Sequence, residues 1–141
     1  MALEVLCKSF DILILRIRIP LDNLSHPKNL LDKLIKYKKV INLENSVTYL
    51  PDFVNALKRL IKIKAKGIYN LVNKGGLDYT KLMDIYKKYK PDYKFKTVSF
   101  NSLHLVRTNL ILSTEKLEKS GIKVRKIEDV LEECVKNYLN Y

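Results

Sequence analysis

At 141 residues the chain has the usual size of one domain and is too short to hold both lobes of a two-domain dehydrogenase. Its hydrophobic content of 47% is that of a folded globular protein and excludes a disordered or low-complexity chain. With 27 Lys and Arg against 15 Asp and Glu, the net charge of +12 would attract any polyanion, and nucleic acid is the alternative partner class this raises.

The charge has a second explanation. Runs such as Lys33 to Lys39 and Lys58 to Lys66 interleave Lys with Leu and Ile at helical spacing, as the solvated faces of amphipathic helices do. Usage rich in Lys, Asn, Ile and Tyr is also what an A/T-rich genome favours. On this reading nucleic acid is not the expected partner. No apolar run approaches the roughly 20 residues that span a bilayer, and Met1 to Phe10 has no export signal, so no membrane contact and a cytoplasmic location are expected.

In chain order, Met1 to Phe10 reads as the end of a helix with Leu3, Leu6, Cys7 and Phe10 on one side. Ile12 to Ile19 reads as a strand, apolar on both faces in its first half, as a covered parallel strand is. Arg16 and Arg18 share one face near its carboxyl end, where open α/β sheets bind ligands. Such a strand needs neighbours on both sides, and the chain offers few, which leaves an open edge.

Pro20 to Pro27 is a loop, and Asn29 is placed to cap a helix carrying Leu30, Leu31, Leu34 and Ile35. Val40 to Leu43 is a short strand, and Glu44-Asn45-Ser46 a polar turn. The next helix is expected to turn Phe53, Val54, Leu57, Leu60 and Ile61 inward. Ile68 to Val72 is a further strand, and Asn73-Lys74-Gly75-Gly76 a turn. Asp78 caps a helix whose core residues are Leu82, Ile85, Tyr86 and Tyr89, and Pro91 stops it. Phe95 to Phe100 is a short strand and Ser102 to Arg107 a short helical or irregular piece. Thr114 to Lys119 is a helical turn closed by Gly121, before a last helix with Ile127, Val130, Leu131, Cys134 and Tyr138 on one face. Alternating strands and helices over residues 1–141 define an α/β unit.

Several motifs carry no chemistry. Gly67, Gly75, Gly76 and Gly121 cannot form a dinucleotide-binding turn. Tyr86 and Lys90 have the Tyr-x-x-x-Lys spacing that lowers a phenol's pKa, but Tyr86 falls on the apolar face of its helix and reads as core. Glu132, Glu133, Asp78 and Asp84 read as solvated carboxylates. Cys7 and Cys134 read as small buried apolar residues, and the isolated His26 and His104 give no metal site. Tyr37, Tyr86, Tyr89, Tyr93 and Phe95 lie among lysines, as in a single-strand nucleic-acid groove, yet the phasing of Tyr86 and Tyr89 makes them core.

The order of six short segments is more specific. Leu15-Arg16-Ile17-Arg18-Ile19-Pro20, His26-Pro27-Lys28-Asn29, Asn45-Ser46-Val47-Thr48, Gly67-Ile68-Tyr69-Asn70, Arg107-Thr108-Asn109 and the following Leu112, Thr114, Lys116 and Leu117 run through nearly the whole chain. In this order they resemble the distal half of the dTDP-4-dehydrorhamnose reductases. They look still more like the plant and giant-virus nucleotide-rhamnose synthases, which combine 3,5-epimerase and 4-keto-reductase activities.

The resemblance implies a truncated, Rossmann-like part of an extended short-chain dehydrogenase/reductase, with the last parallel strands and a small helical subdomain. It implies a nucleotide-diphospho-sugar as ligand and NADP or NAD as the cofactor of the intact enzyme. The glycine-rich turn and the catalytic Tyr-x-x-x-Lys would belong to a preceding half or a separate chain, and no cofactor is expected on these residues alone. Matching positions make Arg107 the diphosphate contact and Asn109 a sugar or phosphate contact, both suited by side-chain chemistry. Asn29 at a helix start, Asn45, Ser46 and Thr48 in a polar loop, and Arg16 and Arg18 at the strand end complete the expected substrate-binding set.

Overall fold

The computed structural model describes residues 2–99 and 109–140. The readings at Phe100, Ser102 to Arg107 and Thr108 therefore lie outside the described residues. The strands pair in twos. β1 (Leu13–Arg16) runs parallel to β6 (Gly67–Asn70), β2 (Pro20–Leu21) to β5 (Thr48–Tyr49), and β3 (Lys39–Asn42) to β8 (Lys96–Ser99), whereas β4 (Glu44–Asn45) is antiparallel to β7 (Leu77–Asp78). Around them lie α1 (Ala2–Ser9), α2 (Leu30–Tyr37), α3 (Leu50–Lys62), α4 (Tyr79–Tyr89), α5 (Glu115–Lys119) and α6 (Ile127–Leu139).

Two apolar clusters divide this α/β arrangement. Leu60, Ala56, Tyr69, Leu71, Leu117 and Ile122 join α3, β6 and α5 beneath the β1–β6 pair. A larger cluster, including Leu31, Leu34, Leu82, Met83, Val130 and Leu131, packs α2, α4 and α6 together. These are the parallel-strand part and the helical subdomain.

Local signals placed most helices. The Asn29 side chain accepts a hydrogen bond from the Leu31 amide at 3.2 Å and that of Asp78 from the Thr80 amide at 2.8 Å, each serving an amide that its helix leaves without a carbonyl. Gly121 ends the α5 turn with φ of 84°.

Three expectations need correction. The strand expected from Ile12 to Ile19 stops at Arg16, because Ile19 adopts φ of 42°, a left-handed conformation that a β-branched residue rarely takes, and turns the chain into β2. In α3 the buried residues are Asp52, Ala56 and Leu60, which rotates Val54 and Ile61 into solvent. A carboxylate tolerates the inward position because Arg125 and Asn73 bond to it there. Finally, α1 has the predicted apolar side, but none of its residues is buried: Leu3, Val5 and Leu6 are exposed, as is Phe10 just beyond. Beside it, β1 pairs only with β6 among the described residues, which leaves its other edge open.

Candidate functional site

The polar loop after β3 is where the expected site residues converge. Arg18 donates from Nη2 to the Asn45 Oδ1 at 2.8 Å, and its backbone amide donates to the Thr48 hydroxyl at 3.1 Å. The Thr48 hydroxyl in turn donates to the Leu71 carbonyl at 3.0 Å, which joins the loop to the end of β6. Asn45, Ser46 and Thr48 are all buried, so water does not compete for these bonds.

The same loop holds the segment that follows Asn109. Asn45 Oδ1 also accepts from the Leu110 amide at 3.1 Å, Ser46 donates its amide to the Leu110 carbonyl at 2.9 Å, and the Ser46 hydroxyl accepts from the Leu112 amide at 2.8 Å. Asn45 and Ser46 thus fix the backbone on which Asn109 stands. Asn109 itself is exposed, and Arg107 lies outside the described residues. Sequence reading missed Tyr79, whose hydroxyl faces the Asn45 Nδ2 at 3.4 Å. Its position directly after the Asp78 cap was the only available signal.

Arg16 and Asn29 stand apart from this group. Arg16 is exposed and borders a cavity of about 400 Å³ with Glu4, Cys7, Asn70 and Lys116, between α1 and the β1–β6 pair. Asn29 is buried, with Oδ1 accepting from the Asp22 and Leu31 amides and Nδ2 donating to the Asp22 and Leu24 carbonyls. Its side chain thereby pins the Asp22–Leu24 loop to the start of α2. Beside it a cavity of about 420 Å³ is lined by Pro20, Asp22, Leu24, His26, Lys28 and Leu50.

Under the site lies a polar network that the sequence did not reveal. Asn73 accepts from the Tyr49 amide at 2.8 Å and donates to Asp52 at 2.8 Å, while Arg125 donates to Asp52 at 2.6 Å and to Glu133 at 2.6 Å. The hydrogen bond from Arg125 holds Glu133 below the usual carboxylate range, against the opposing effect of burial. Burial, with Cys134 and Glu133 nearby, raises the Tyr49 phenol well above its ordinary value. Glu132 and Glu133 are therefore bound carboxylates rather than free solvent-facing ones, since Glu132 meets Lys88 and Tyr89.

The buried Ser46 and Thr48 hydroxyls and their backbone amides are bonded within the protein, which makes the 45–48 loop a frame for the 110–112 segment. Tyr86 is buried and burial raises its pKa, the opposite of what a proton-exchanging phenol requires. Cys134 is buried and its thiol is pushed up to about 12 by burial, whereas Cys7 is only partly covered. No three His, Cys, Asp or Glu side chains group as metal ligands among the described residues, and no described helix is long and apolar enough to cross a membrane. A dinucleotide turn requires glycines between a strand and a helix start. Here Gly67 opens β6, Gly121 closes α5, and Gly76 abuts Glu44 and Ile111. The glycines among the described residues do not form that turn.

Parallel strand pairs interleaved with this helical subdomain match the carboxyl-terminal part of the Rossmann-like extended short-chain dehydrogenase/reductase fold. No family model matches the chain. Over 135 residues it is 30% identical to the trifunctional UDP-glucose 4,6-dehydratase/UDP-4-keto-6-deoxy-D-glucose 3,5-epimerase/UDP-4-keto-L-rhamnose-reductase of Arabidopsis thaliana, covering 91% of this chain and 20% of that protein. The crystal structure of the L780 UDP-rhamnose synthase of Acanthamoeba polyphaga mimivirus superposes with a TM-score of 0.79 at 23% identity, over 87% of this chain and 45% of the other. The dTDP-4-dehydrorhamnose reductase of Bacillus anthracis, solved with NADP, gives a TM-score of 0.68 at 17% identity, over 91% of this chain and 48% of the other. The chain matches the carboxyl-terminal part of the nucleotide-rhamnose synthases and dTDP-4-dehydrorhamnose reductases. It spans about a fifth of the trifunctional relative and under half of each of these two solved enzymes.

Proposed function

We propose that residues 1–141 form the substrate-binding portion of an NDP-4-keto-6-deoxyhexose epimerase/reductase of nucleotide-rhamnose synthesis, binding a UDP- or dTDP-linked sugar. The observation that carries this reading is the bonding of Arg18, Asn45, Ser46 and Thr48 into one buried frame that holds the backbone just after Asn109. On this reading Arg107 and Asn109 contact the diphosphate and sugar, Arg18 adds positive charge at the 45–48 loop, and Arg16 adds charge at the separate cavity between α1 and the β1–β6 pair. Asn29 contributes the start of α2 through its cap.

We assign no hydride or proton transfer to these residues alone. NADP or NAD and the catalytic Tyr-x-x-x-Lys are assigned to a cofactor-binding portion, encoded in the same chain or in a second one. The open edge of β1 and the exposed Leu3, Val5, Leu6 and Phe10 are the surface against which that portion would continue the sheet.

A thermal melt followed by circular dichroism tests the binding claim. Millimolar UDP- or dTDP-hexose is expected to raise the midpoint of the 141-residue chain, because a ligand that prefers the native state stabilises it. Arg107→Ala is expected to abolish that rise while leaving the unliganded melt in place. A cooperative melt that neither sugar nucleotide moves would overturn the reading.

A further inference from the structure

A separate cavity lies at the opposite end of the β3–β8 pair. Both strands run parallel, so Lys39 and Lys96 stand side by side at their starts, while Asn45 follows the far end of β3. Here a cavity of about 600 Å³ is lined by Lys38, Lys39, Lys87, Lys94 and Lys96 together with the rings of Tyr37 and Phe95. Tyr37, 66% exposed, also borders a neighbouring cavity with Lys33 and Lys36.

Three features mark this patch. Lys38, Lys39, Lys94 and Lys96 come from a helix cap, strand starts and a loop, so amphipathic helix phasing does not account for them. None of the five cavity lysines has a carboxylate within ion-pair distance among the described residues, a state they share with Lys33, Lys36, Lys58 and Lys62 on helix faces. The aromatic floor is rigid as well. Phe95 stacks on Tyr93 at 6.4 Å between ring centroids, Tyr93 packs edge-on to the buried Tyr86 at 5.1 Å, and the Tyr93 hydroxyl donates to the Leu34 and Ile35 carbonyls.

We propose that this face binds single-stranded nucleic acid, with Phe95 and Tyr37 as stacking surfaces for bases and the surrounding lysines as contacts for the phosphates between them. Unpaired ammonium groups cost no ion pair when they meet a phosphate, and every base offers a ring face to stack, so the site would be tolerant of sequence and sensitive to salt. A free phosphate or a sugar nucleotide would use the charge but only one ring at most. The proposal is independent of the sugar-nucleotide reading, because the two sites share no residue.

Fluorescence anisotropy of the full chain with a labelled oligo-dT of roughly 12 nucleotides tests it. Binding is expected to weaken steeply with salt, by about 0.7 in the logarithmic slope for each phosphate contacted. The triple variant Lys39→Gln/Lys94→Gln/Lys96→Gln should weaken binding at least about tenfold and flatten that slope by about two. Tyr37→Ala should weaken it at least about fivefold, the effect of losing one stacked base. The control triple Lys58→Gln/Lys62→Gln/Lys64→Gln, on and just after α3, should leave it within about twofold, and melts matching the parent chain would establish that all three variants fold. Equal losses from both triples would identify diffuse attraction to net charge and overturn the proposal. So would an unchanged affinity in Tyr37→Ala, or displacement of the oligonucleotide by inorganic polyphosphate at equal phosphate concentration.

Discussion

The carboxamide oxygen of Asn45 accepts from two donors at once, the Arg18 guanidinium at 2.8 Å and the Leu110 amide at 3.1 Å. One buried side chain therefore ties the turn after β1 to the segment carrying Asn109. Asn45→Ala would leave both donors without their acceptor, at a cost of about 1–3 kcal/mol. Asn45→Asp keeps an acceptor for both and should cost clearly less. Urea unfolding of the two variants checks the order, and an Asp variant as unstable as the Ala variant would show that the acceptor is not what matters. If the segment also holds the ligand, Asn45→Ala should further reduce the melting shift given by the sugar nucleotide.

The Asp52–Asn73 pair supports a second prediction. Asn73 accepts from the amide of Tyr49, a residue with no solvent exposure, and donates to Asp52. Asn73→Ala leaves the buried Tyr49 amide unmet and removes the shortest bond to the Asp52 Oδ2, and should destabilise the chain by roughly 2–4 kcal/mol. Asp52→Asn keeps an oxygen for Asn73 but removes the charge opposite Arg125. Because Arg125 is 44% exposed and keeps Glu133, the expected loss is smaller, about 1 kcal/mol. Denaturant midpoints measured side by side would reverse this order if the ion pair, and not the amide network, governed stability.

These two networks mark what could and could not be read from the residues. Asn29, Asp78 and Gly121 were legible because a cap or a turn is decided by a few adjacent residues. The apolar phase of α6 was legible for the same kind of reason, a periodicity within one element. Asp52 was not, because an acid in the first turn of a helix is the ordinary solvent-facing arrangement, and its burial depends on Arg125, 73 residues away in sequence. The early end of β1 was hidden likewise, since nothing in Ile17-Arg18-Ile19 announces a left-handed backbone at Ile19. For the site, the residue types were recognisable in order. That Asn45 and Ser46 spend their bonds on holding residues 110–112 depends on a contact across 65 positions, which spacing does not encode.

Acid stability provides the last prediction. Glu132 is held down to about 2 from an ordinary 4.5, first by the hydrogen bond from Tyr89 and then by that from Lys88 and its charge. A carboxylate whose folded pKa is depressed contributes stability that is fully present above the unfolded value and is lost as pH falls through the folded one. The relevant window therefore runs downward from about 4.5 to about 2, where the unfolded chain binds a proton that the folded chain refuses. Asp32, Glu118, Glu128 and Glu133 are also lowered and act in the same direction. The melting temperature should accordingly fall through this window. Glu132→Gln removes one titrating group, so its melting temperature should lie below that of the parent above pH 4.5 and converge with it towards pH 2. Curves that stay parallel over the whole range would mean that Glu132 is bound no differently in the folded chain than in the unfolded one, and that the contacts with Tyr89 and Lys88 do not persist in solution.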